Sequence, residues 1–567
     1  MRRDRKMCFD FASFRLDPAE RLLWRDGEIL PLTPKLFDIL LVLVENSGRL
    51  LNKNEFQSLV WPETVVEDGN LTRNISTLRK ILGETLGEPR YIETIPWRGY
   101  RFVAKVDQVY EEAPNPAIDS IVVLPFVNGG DHETEYLADG ITESLINNLS
   151  RLSHLKVISR RSAFRYKGRE LDAPAIGREL RVGALLTGSI LPQSNTLIIS
   201  AELVDARDDT QIWGERYHRD LTDIFALQET IARIITEKLR LTLTSAEESL
   251  LHQRLPLDAA AYQLYLKGRY HFHRLTPEEV AKGIEYLRQA IEREPDYALA
   301  HVGLSDCYNY LARPVEALAE VKKALELEPT LGEAHASMAF HQFVYDWNFQ
   351  ESELGFQRAI ALSPNYANAH HWYAIYLANL GRHDEAIREA RKAEALDPIS
   401  PLMSMTPGLV FYCAHAYEEA LAEFQKVSDL DPNFMPARSL LGHVYEQQGL
   451  FEKAIGKYVE VLELVGNKTP AASSINGFIG RIEAKRGRKD EARRIAADLS
   501  PHSSEMAYTM AEIHAALGEI DQAFDWLDRA YENHNFQLVS LKVDPNLDAL
   551  RADQRFGHLL RRMALIT

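Results

Sequence analysis

The segment VEDGNLTRNISTLRKILGE, residues 66–84, has the hydrophobic period of an amphipathic helix. At about 100° per residue, its apolar side chains fall within one narrow arc, which is formed by Leu71, Ile75, Leu78 and Leu82. The opposite arc carries hydrogen-bond donors, namely Arg73, Ser76, Thr77 and Lys80. No acidic residue lies between Gly69 and Gly83. Such a helix suits the negative potential of a DNA major groove, where arginine can read guanine through two hydrogen bonds, so Arg73 is the predicted base reader.

The sequence around this segment predicts a small α+β domain over residues 8–106. Thr33-Pro34 favours a helix start, and a second short helix is predicted from Asn52 to Val60. Downstream, RYIETI and YRFVAKV flank PWRG, which predicts a strand-turn-strand with Arg98 at the tip. A charged helix face alone is more often solvated surface than a binding face. The neighbouring basic hairpin and the order of the elements favour DNA binding instead.

The order of sheet, three helices and hairpin, with the motifs VEDGNLTRNISTLRKILGE and TIPWRGYRF, resembles the OmpR-type output domain. Within that family it is most similar to one-component regulators of the ToxR/CadC kind. The resemblance implies a winged helix whose third helix enters the major groove of double-stranded promoter DNA. It also implies a set of DNA-binding residues, in which Arg79, Lys80 and Arg98 support Asn70, Thr72, Arg73, Ser76 and Thr77.

The charge of the chain is distributed unevenly. The net charge is −17, yet residues 1–106 hold 17 Lys and Arg against 15 Asp and Glu. The rest of the chain holds 48 against 67, so a DNA contact is expected only in the first hundred residues. Because the basic excess is small, one copy is expected to bind weakly and to need paired or repeated half-sites.

The middle of the chain is predicted to be a separate α/β domain. An exposed linker is expected over residues 107–117, where proline and acidic residues dominate. Residues 118–245 follow, with IVVLPF, LKVIS, ALLTGSIL and LIISAELVDA as strand-like runs and an apolar helix pattern from Phe225 to Leu239. This region resembles the TolB-N-terminal-like modules of bacterial signalling chains. The resemblance implies an α/β domain for which no catalytic activity is established.

The third region repeats itself over residues 258–540. Its prolines at 295, 329, 364, 398 and 432 are spaced 34 or 35 residues apart. Small residues recur twelve positions before each proline, namely Gly283, Ala317, Ser352, Ala386 and Ala420. Small side chains let two helices approach closely, and the proline ends the second helix. The pattern resembles tetratricopeptide repeats and predicts an all-α solenoid of about eight repeats, followed by a C-terminal cap over residues 541–567.

Repeat arrays of this kind form a concave groove suited to a protein or peptide. By analogy with them, inner groove positions are expected at Asp306, Asn309, Asn368, His371, His443 and Glu446. The pairs His271/His273 and His370/His371 lack nearby cysteines or converging acids, which favours ordinary structural histidines over metal ligands. The sequence therefore predicts no metal site, no cofactor and no catalytic residue.

The sequence thus predicts a multidomain, sequence-specific transcription regulator of the soluble one-component type, whose repeats bind a protein or ligand effector. RNA polymerase and a second copy of the chain on DNA are further expected partners. No membrane association is expected, and the predicted location is the cytoplasm, on the nucleoid when DNA is bound. The alternative is a tetratricopeptide signalling scaffold whose winged helix makes protein contacts rather than DNA contacts. An enzyme is disfavoured because no nucleophile elbow, metal cluster or nucleotide loop occurs.

Overall fold

A computed structural model describes residues 5–18, 20–61, 68–84, 89–112, 118–169, 172–193, 196–220, 224–239, 241, 244, 258–274, 276–311, 313–466, 469–499 and 503–566. The chain divides into two compact units, Met1–Ala117 and Ile118–Thr567. The predicted fold class is confirmed: an α+β region comes first, an α/β region follows, and a long run of paired helices completes the chain. Among the described helices, none combines the length and the apolar composition needed to cross a lipid bilayer.

The first unit contains eight strands and three helices among its described residues. The strands are Arg5–Phe11 (β1), Phe14–Asp17 (β2), Leu22–Arg25 (β3), Glu28–Leu30 (β4), Leu50–Leu51 (β5), Ile92–Ile95 (β6), Gly99–Phe102 (β7) and Asp107–Glu112 (β8). The helices are Pro34–Glu45 (α1), Lys53–Val60 (α2) and Asp68–Ile81 (α3). One antiparallel sheet has the order β4-β3-β2-β1-β8, and the second has the order β5-β7-β6.

Local sequence signals set the boundaries of the first two helices. The Thr33 hydroxyl accepts a hydrogen bond from the Leu36 N–H at the start of α1, where Pro34 costs no backbone donor. Asn52 and Glu55 form a reciprocal capping box at the start of α2. Both predicted helices are confirmed, and their apolar faces pack with the sheet residues in one core.

The predicted linker is shorter than expected. Residues 107–112 form β8, which pairs in antiparallel register with β1, for example Cys8 with Val109. The acidic side chains of this stretch indicate exposure, but an edge strand also tolerates charged side chains. The rest of the expected linker, residues 113–117, lies outside the described residues.

The second unit opens with a mixed sheet and its helices. The strands are Ser120–Val123 (β9), Val127–Asn128 (β10), Lys156–Val157 (β11), Ala184–Gln193 (β12), Thr196–Asp205 (β13) and Thr210–Asp220 (β14). The helices are Glu135–Leu149 (α4), Arg160–Phe164 (α5), Ala173–Leu180 (α6) and Ile224–Lys238 (α7). The sheet order is β11-β9-β12-β13-β14, and β10 also pairs with β12. The sequence does not predict β14, because most of its side chains are polar and exposed.

Sixteen repeat helices follow in the described part of the chain, and they pack as consecutive pairs. Their bounds are Ala259–Phe272 (α8), Pro277–Arg293 (α9), Ala298–Tyr310 (α10), Pro314–Leu327 (α11), Gly332–Val344 (α12), Phe349–Leu362 (α13), Ala367–Asn379 (α14), His383–Leu396 (α15), Pro401–Cys413 (α16), Tyr417–Leu430 (α17), Met435–Gln447 (α18), Phe451–Val465 (α19), Pro470–Lys485 (α20), Lys489–Leu499 (α21), Ser503–Leu517 (α22) and Ile520–Glu532 (α23).

The repeating prolines and small residues act as the sequence predicts. The second helix of each of the first five pairs ends two residues before its proline, as Arg293 does before Pro295. The small positions are buried at the contact between paired helices, and the Ser352 hydroxyl donates to the Ala339 carbonyl at 2.8 Å. Close helix approach at these positions explains the period of 34 or 35 residues.

The α/β region and the first repeats share one buried core. A single cluster of buried side chains runs from the sheet into the first repeats. At their contact, a Cβ atom added to Gly140 in α4 would lie 2.5 Å from the end of the Leu266 side chain of α8, so a larger residue would require Leu266 to shift. The boundary expected between residues 245 and 258 is therefore not a boundary between compact units, although residues 245–257 themselves lie outside the described part of the chain.

The residues after the last repeat pack back across the array. They form two short 3-10 segments, Phe536–Ser540 and Pro545–Leu550, and the helix Gln554–Arg562 (α24). Leu538 and Leu541 share a buried cluster with Phe343 of α12. The Lys542 ammonium donates to the Leu380 carbonyl just after α14, at 3.0 Å. The expected C-terminal cap thus contacts earlier repeats as well as the last one.

Candidate functional site

Helix α3 has one buried face and one free face. Leu71, Ile75, Leu78 and Leu82 are all buried in the core of the first unit, as their period predicts. On the other face, Arg73, Ser76 and Lys80 are exposed, and Thr77 is half-buried. In the part of the chain that the structure describes, Arg73 and Lys80 make no ion pair. Two cationic side chains on this face are therefore available to an anionic partner.

The smaller polar residues of α3 make local hydrogen bonds. The Asn70 amide oxygen accepts from Asn74 at 2.9 Å, and the Thr77 hydroxyl donates to the Arg73 carbonyl at 3.0 Å. The Tyr100 hydroxyl of β7 donates to the Thr72 hydroxyl at 3.3 Å. These contacts orient the side chains but leave Asn70 and Thr72 exposed.

Arg79 contacts the hairpin instead of the free face of α3. Its guanidinium donates to the Ile92 carbonyl at 2.7 Å and to the Thr94 hydroxyl at 2.7 Å. Glu84 lies 3.3 Å from the Arg79 guanidinium, and its other oxygen accepts from the Ile92 N–H. Arg79 therefore fixes the hairpin against the end of α3, and its supporting role at DNA stays a prediction. Its side chain is long enough to reach back to β6, which helical periodicity does not reveal.

The hairpin presents an aromatic residue next to the predicted arginine. Arg98 is exposed in the turn between β6 and β7, and Trp97 beside it is fully exposed. The Arg98 N–H donates to the Ile95 carbonyl, and Trp97 has a φ of +65° at a position that normally favours glycine. The sequence analysis did not single out Trp97, whose ring the structure exposes beside Arg98. The signal was the Pro96-Trp97 pair, since proline directs the next residue to the outer corner of such a turn.

Trp97→Gly is expected to weaken duplex DNA binding about threefold to tenfold for all sequences, because an exposed ring on a DNA-binding hairpin would supply apolar contact at a groove. The same change should leave the unfolding free energy within about 1 kcal/mol, since glycine accepts the positive φ without strain. Fluorescence anisotropy with labelled duplexes measures binding, and thermal melting measures stability. Unchanged DNA affinity in the folded variant would remove Trp97 from the interface.

The repeat residues predicted to line a groove are mostly engaged within the chain. The Asp306 carboxylate accepts from Arg269 at 2.7 Å, and His371 lies 2.7 Å from the Thr406 hydroxyl. Glu446 is buried and pairs with Arg481 at 2.8 Å. His443 contacts the Tyr458 hydroxyl at 2.8 Å, and Asn368 donates to Tyr366 at 3.3 Å. Of the six predicted residues, Asn309 alone is exposed within the described chain.

Burial changes the ionisation of several of these groups. It lowers the pKa of His371 to about 4 and that of His443 to about 3, so both imidazoles are neutral at neutral pH. Burial alone would raise the pKa of Glu446, but the Arg481 guanidinium lowers it to about 2. These side chains are held by internal contacts, and His443 also lines a cavity between the first helices of the later repeats.

The α/β region occupies the array beside the first repeats. Glu143 of α4 accepts from the Arg269 guanidinium of α8 at 2.9 Å and from His273 at 2.9 Å. Arg160 of α5 lies 3.2 Å from the same carboxylate. Burial would raise the pKa of Glu143. The neighbouring His273, Arg269 and Arg160 side chains instead hold this pKa well below its usual value. Part of the expected groove is therefore filled by the chain itself.

Three kinds of family model match the chain. The model "transcriptional regulatory protein, C terminal" matches residues 27–102, which include α3 and the hairpin. The model "HilA/YgeH-like transcriptional regulator, second domain" matches residues 117–234, the region with the predicted TolB-like resemblance. Tetratricopeptide repeat models match residues 278–331, 356–388 and 478–537. The chain joins a winged-helix domain, a HilA-like second domain and tetratricopeptide repeats.

Curated relatives include DNA-binding regulators. The transcriptional regulator HilA of Salmonella typhimurium strain LT2 is 24% identical over 72% of this chain and 74% of its own length. The cholera toxin transcriptional activator of Vibrio cholerae is 38% identical over 18% of this chain and 35% of its own length. Homologues of the chain are thus transcriptional regulators that contain a winged-helix domain.

One relative has a different name. The putative adenylate cyclase 3 of Rhizobium meliloti strain 1021 is 40% identical over 191 residues, which are 34% of this chain. The chain spans only 32% of that relative's length. Among the residues that the structure describes, no group of three or more His, Cys, Asp or Glu side chains is placed to hold a metal ion.

Proposed function

We propose that this protein is a one-component regulator that binds double-stranded promoter DNA in a sequence-specific manner through α3 and the hairpin. The observation that supports this best is the exposed cationic face of α3, where Arg73 and Lys80 have no ion-pair partner among the described residues. Arg98 and Trp97 extend that surface at the hairpin tip. Helix α3 would lie in the major groove and the hairpin at the neighbouring backbone or minor groove.

Arg73→Ala is expected to weaken the complex with a selected promoter by about 1–3 kcal/mol and to relax the preference at one base pair. Lys80→Ala should weaken binding to all duplexes similarly and reduce the salt slope by roughly 1, since a phosphate contact carries no sequence information. Electrophoretic mobility shifts at several salt concentrations, on duplexes selected by genome-wide DNA capture, provide the measurement.

Arg15 supplies a matched control for this test. It lies on β2, and its guanidinium donates to the Asp10 carboxylate at 2.8 Å, away from α3 and the hairpin in sequence. Arg15→Ala should therefore leave the promoter affinity and the base preference unchanged. If Arg73→Ala and Arg98→Ala together left promoter binding unchanged, the DNA-binding proposal would be wrong.

The second candidate function is a signalling scaffold whose winged-helix domain contacts proteins. Tetratricopeptide repeats support protein contacts in general, and Asn309 is an exposed member of the predicted groove set. Arg73→Ala with Arg98→Ala separates the two candidates, because unchanged promoter binding with altered partner binding would favour the scaffold. We favour DNA binding because a scaffold gives no reason for unpaired cations on α3.

The remaining parts of the proposal concern partners and location. The repeats are proposed to bind an effector, and RNA polymerase and a second copy on adjacent half-sites are proposed as further partners. Residues 1–106 hold only two more basic than acidic residues, so electrostatic attraction contributes modestly to DNA binding. Binding of linked copies to adjacent half-sites would raise the occupancy of the promoter. We propose a cytoplasmic location, with the protein on the nucleoid when DNA is bound. The proposal includes no catalysis, since the relative with an enzyme's name matches only a third of the chain.

A further inference from the structure

The later repeats line a partly open cavity of about 570 Å³. Its walls come from the first helices of six successive pairs, α12, α14, α16, α18, α20 and α22. The segment from Phe536 to Asn546, which follows the last repeat, closes it on another side. Pockets of roughly 300–1,000 Å³ are typical of small-molecule sites. The cavity is therefore large enough for a small organic molecule.

Most of the cavity wall is apolar or aromatic. Phe343, Val344 and Ile375 line one part of it, and Tyr412 and Phe478 line another. Burial raises the pKa of the Tyr412 hydroxyl well above its usual value, and it raises the pKa of the Cys413 thiol to about 12. Groups in this wall thus experience an environment that disfavours charge, and an apolar ligand body would match it.

One carboxylate in the wall lacks a cationic partner. Asp544 is 9% exposed, and its carboxylate accepts from the Tyr508 hydroxyl at 2.8 Å and from the Asn546 N–H at 2.9 Å. The Asn546 amide donates to it at 3.0 Å. Within the described chain no ion pair reaches this carboxylate; Arg551 donates to the Asp544 carbonyl and pairs with Asp548. Buried carboxylates are normally paired with a cation, so Asp544 marks a place for one.

The neighbouring charges do not compensate Asp544. Arg481 pairs with both Glu446 and Glu512, and Lys485 pairs with Glu446 at 2.7 Å. Three carboxyl groups and two cations therefore lie around this end of the cavity. Burial raises the pKa of Glu512 to about 8. The negative charges of Asp544 and Glu446 also raise this pKa, whereas the Arg481 guanidinium lowers it. Glu512 is therefore mostly protonated at neutral pH, which leaves two carboxylates and two cations, and neither cation pairs with the Asp544 carboxylate in the described chain.

We propose that this cavity binds a small, largely apolar molecule that carries one ammonium group, and that the ammonium group pairs with the Asp544 carboxylate. The aromatic side chains of the wall would contact the apolar body, and Tyr508 would keep the carboxylate oriented. An anionic ligand is disfavoured because Arg481 is already saturated by Glu446 and Glu512. This inference deepens the proposed function, since it gives the effector of the repeats a site and a chemical class.

Titration calorimetry of the full chain with three probes tests the proposal. Tryptamine, tryptophol and indole-3-propionate share an indole body and differ in a cationic, neutral or anionic end group. We expect tryptamine to bind about tenfold to a hundredfold more tightly than indole-3-propionate, with tryptophol between them. No heat from any probe at millimolar concentration, equal affinities, or a preference for the anion would each overturn the proposal.

Asp544→Asn tests the assigned partner. Asparagine can still accept from the Asn546 N–H at the start of its 3-10 segment, so the local structure should persist. The affinity for tryptamine should fall about tenfold or more, while that for tryptophol changes less than twofold. Asp548→Asn is the matched control, because Asp548 is an exposed carboxylate four residues away, and it should change neither affinity.

The probe comparison on the unaltered chain needs no variant, so it decides the proposal even if Asp544→Asn fails to fold. Equal loss of tryptamine and tryptophol affinity in a folded Asp544→Asn variant would overturn the assignment of Asp544. Neither measurement involves DNA, so a failed promoter assay and a failed calorimetric assay are distinguishable.

Discussion

Arg481→Met is expected to lower the free energy of unfolding of the second unit by about 3–5 kcal/mol. The Arg481 side chain is 1% exposed and donates to Glu446 at 2.8 Å and to Glu512 at 2.7 Å. These partners lie on α18 and α22, so Arg481 on α20 joins the first helices of three successive repeats. Methionine fills a similar volume but removes the Arg481 donor from both carboxylates, and only Glu446 keeps a cation, Lys485, at 2.7 Å. Removing one partner is the costly way to break a buried ion pair.

Equilibrium denaturation of the full chain, followed through the transition of residues 118–567, measures this loss. Arg494→Met is the control, since the exposed Arg494 pairs with Glu491 on the surface of α21 and should leave the midpoint unchanged. Arg481→Met combined with Glu446→Gln should lose less than the sum of the two single changes, because the pair is coupled. A midpoint shift for Arg481→Met as small as that of the control would contradict the prediction.

Asn365→Ala is expected to destabilise the contact between the HilA-like domain and the repeats by about 2–4 kcal/mol. The buried Asn365 amide donates to the carbonyls of Leu152 and Leu155 at 2.9 and 2.8 Å, and its oxygen accepts from the Val157 N–H. It also donates to the Ser150 carbonyl at 3.3 Å. Alanine would leave these buried backbone groups unsatisfied, and each unsatisfied group costs free energy.

Hydrogen exchange gives the most direct measurement of this effect. The amides of β11 and of the end of α4 should exchange faster in Asn365→Ala, because the loop between them loses its side-chain partner. Asn368→Ala is the matched control, since its half-buried amide bonds only the nearby Tyr366 hydroxyl among the described residues. Equal protection of β11 in the two variants would show that Asn365 does not hold this contact.

Periodic features were the most predictable from sequence. The buried face of α3 follows from the spacing of Leu71, Ile75, Leu78 and Leu82, because helical geometry alone decides which side chains share a face. The repeat boundaries follow from proline for a similar reason, since proline cannot continue a helix. Arg73 and Lys80 lie on the predicted exposed face, whereas their contacts with bases or phosphates remain predictions.

Features that depend on distant contacts were not predictable. Arg79 lies on the helix face that the sequence predicts to be exposed to solvent. Its guanidinium nevertheless donates to the Ile92 carbonyl, thirteen residues away. The groove residues Asp306 and His371 follow the repeat pattern, yet Asp306 accepts from Arg269, which in turn contacts Glu143, 126 residues away. His371 is buried against Thr406, which lies 35 residues further along the chain. A local sequence pattern contains no information about which distant part of the chain packs against these residues. Trp97 was hidden for another reason, since its exposure depends on the backbone of one turn.

The return of the C-terminal segment across α12 and α14 constrains how the array can evolve. An open solenoid can gain or lose a repeat by duplication or deletion, since each repeat contacts only its neighbours. Here Lys542 bonds next to α14 and Leu538 packs with Phe343, so the end of the chain is matched to a fixed number of intervening repeats. Insertion of one repeat would displace both contacts together. Lineages that descend from this protein should therefore conserve repeat number more strictly than open arrays do.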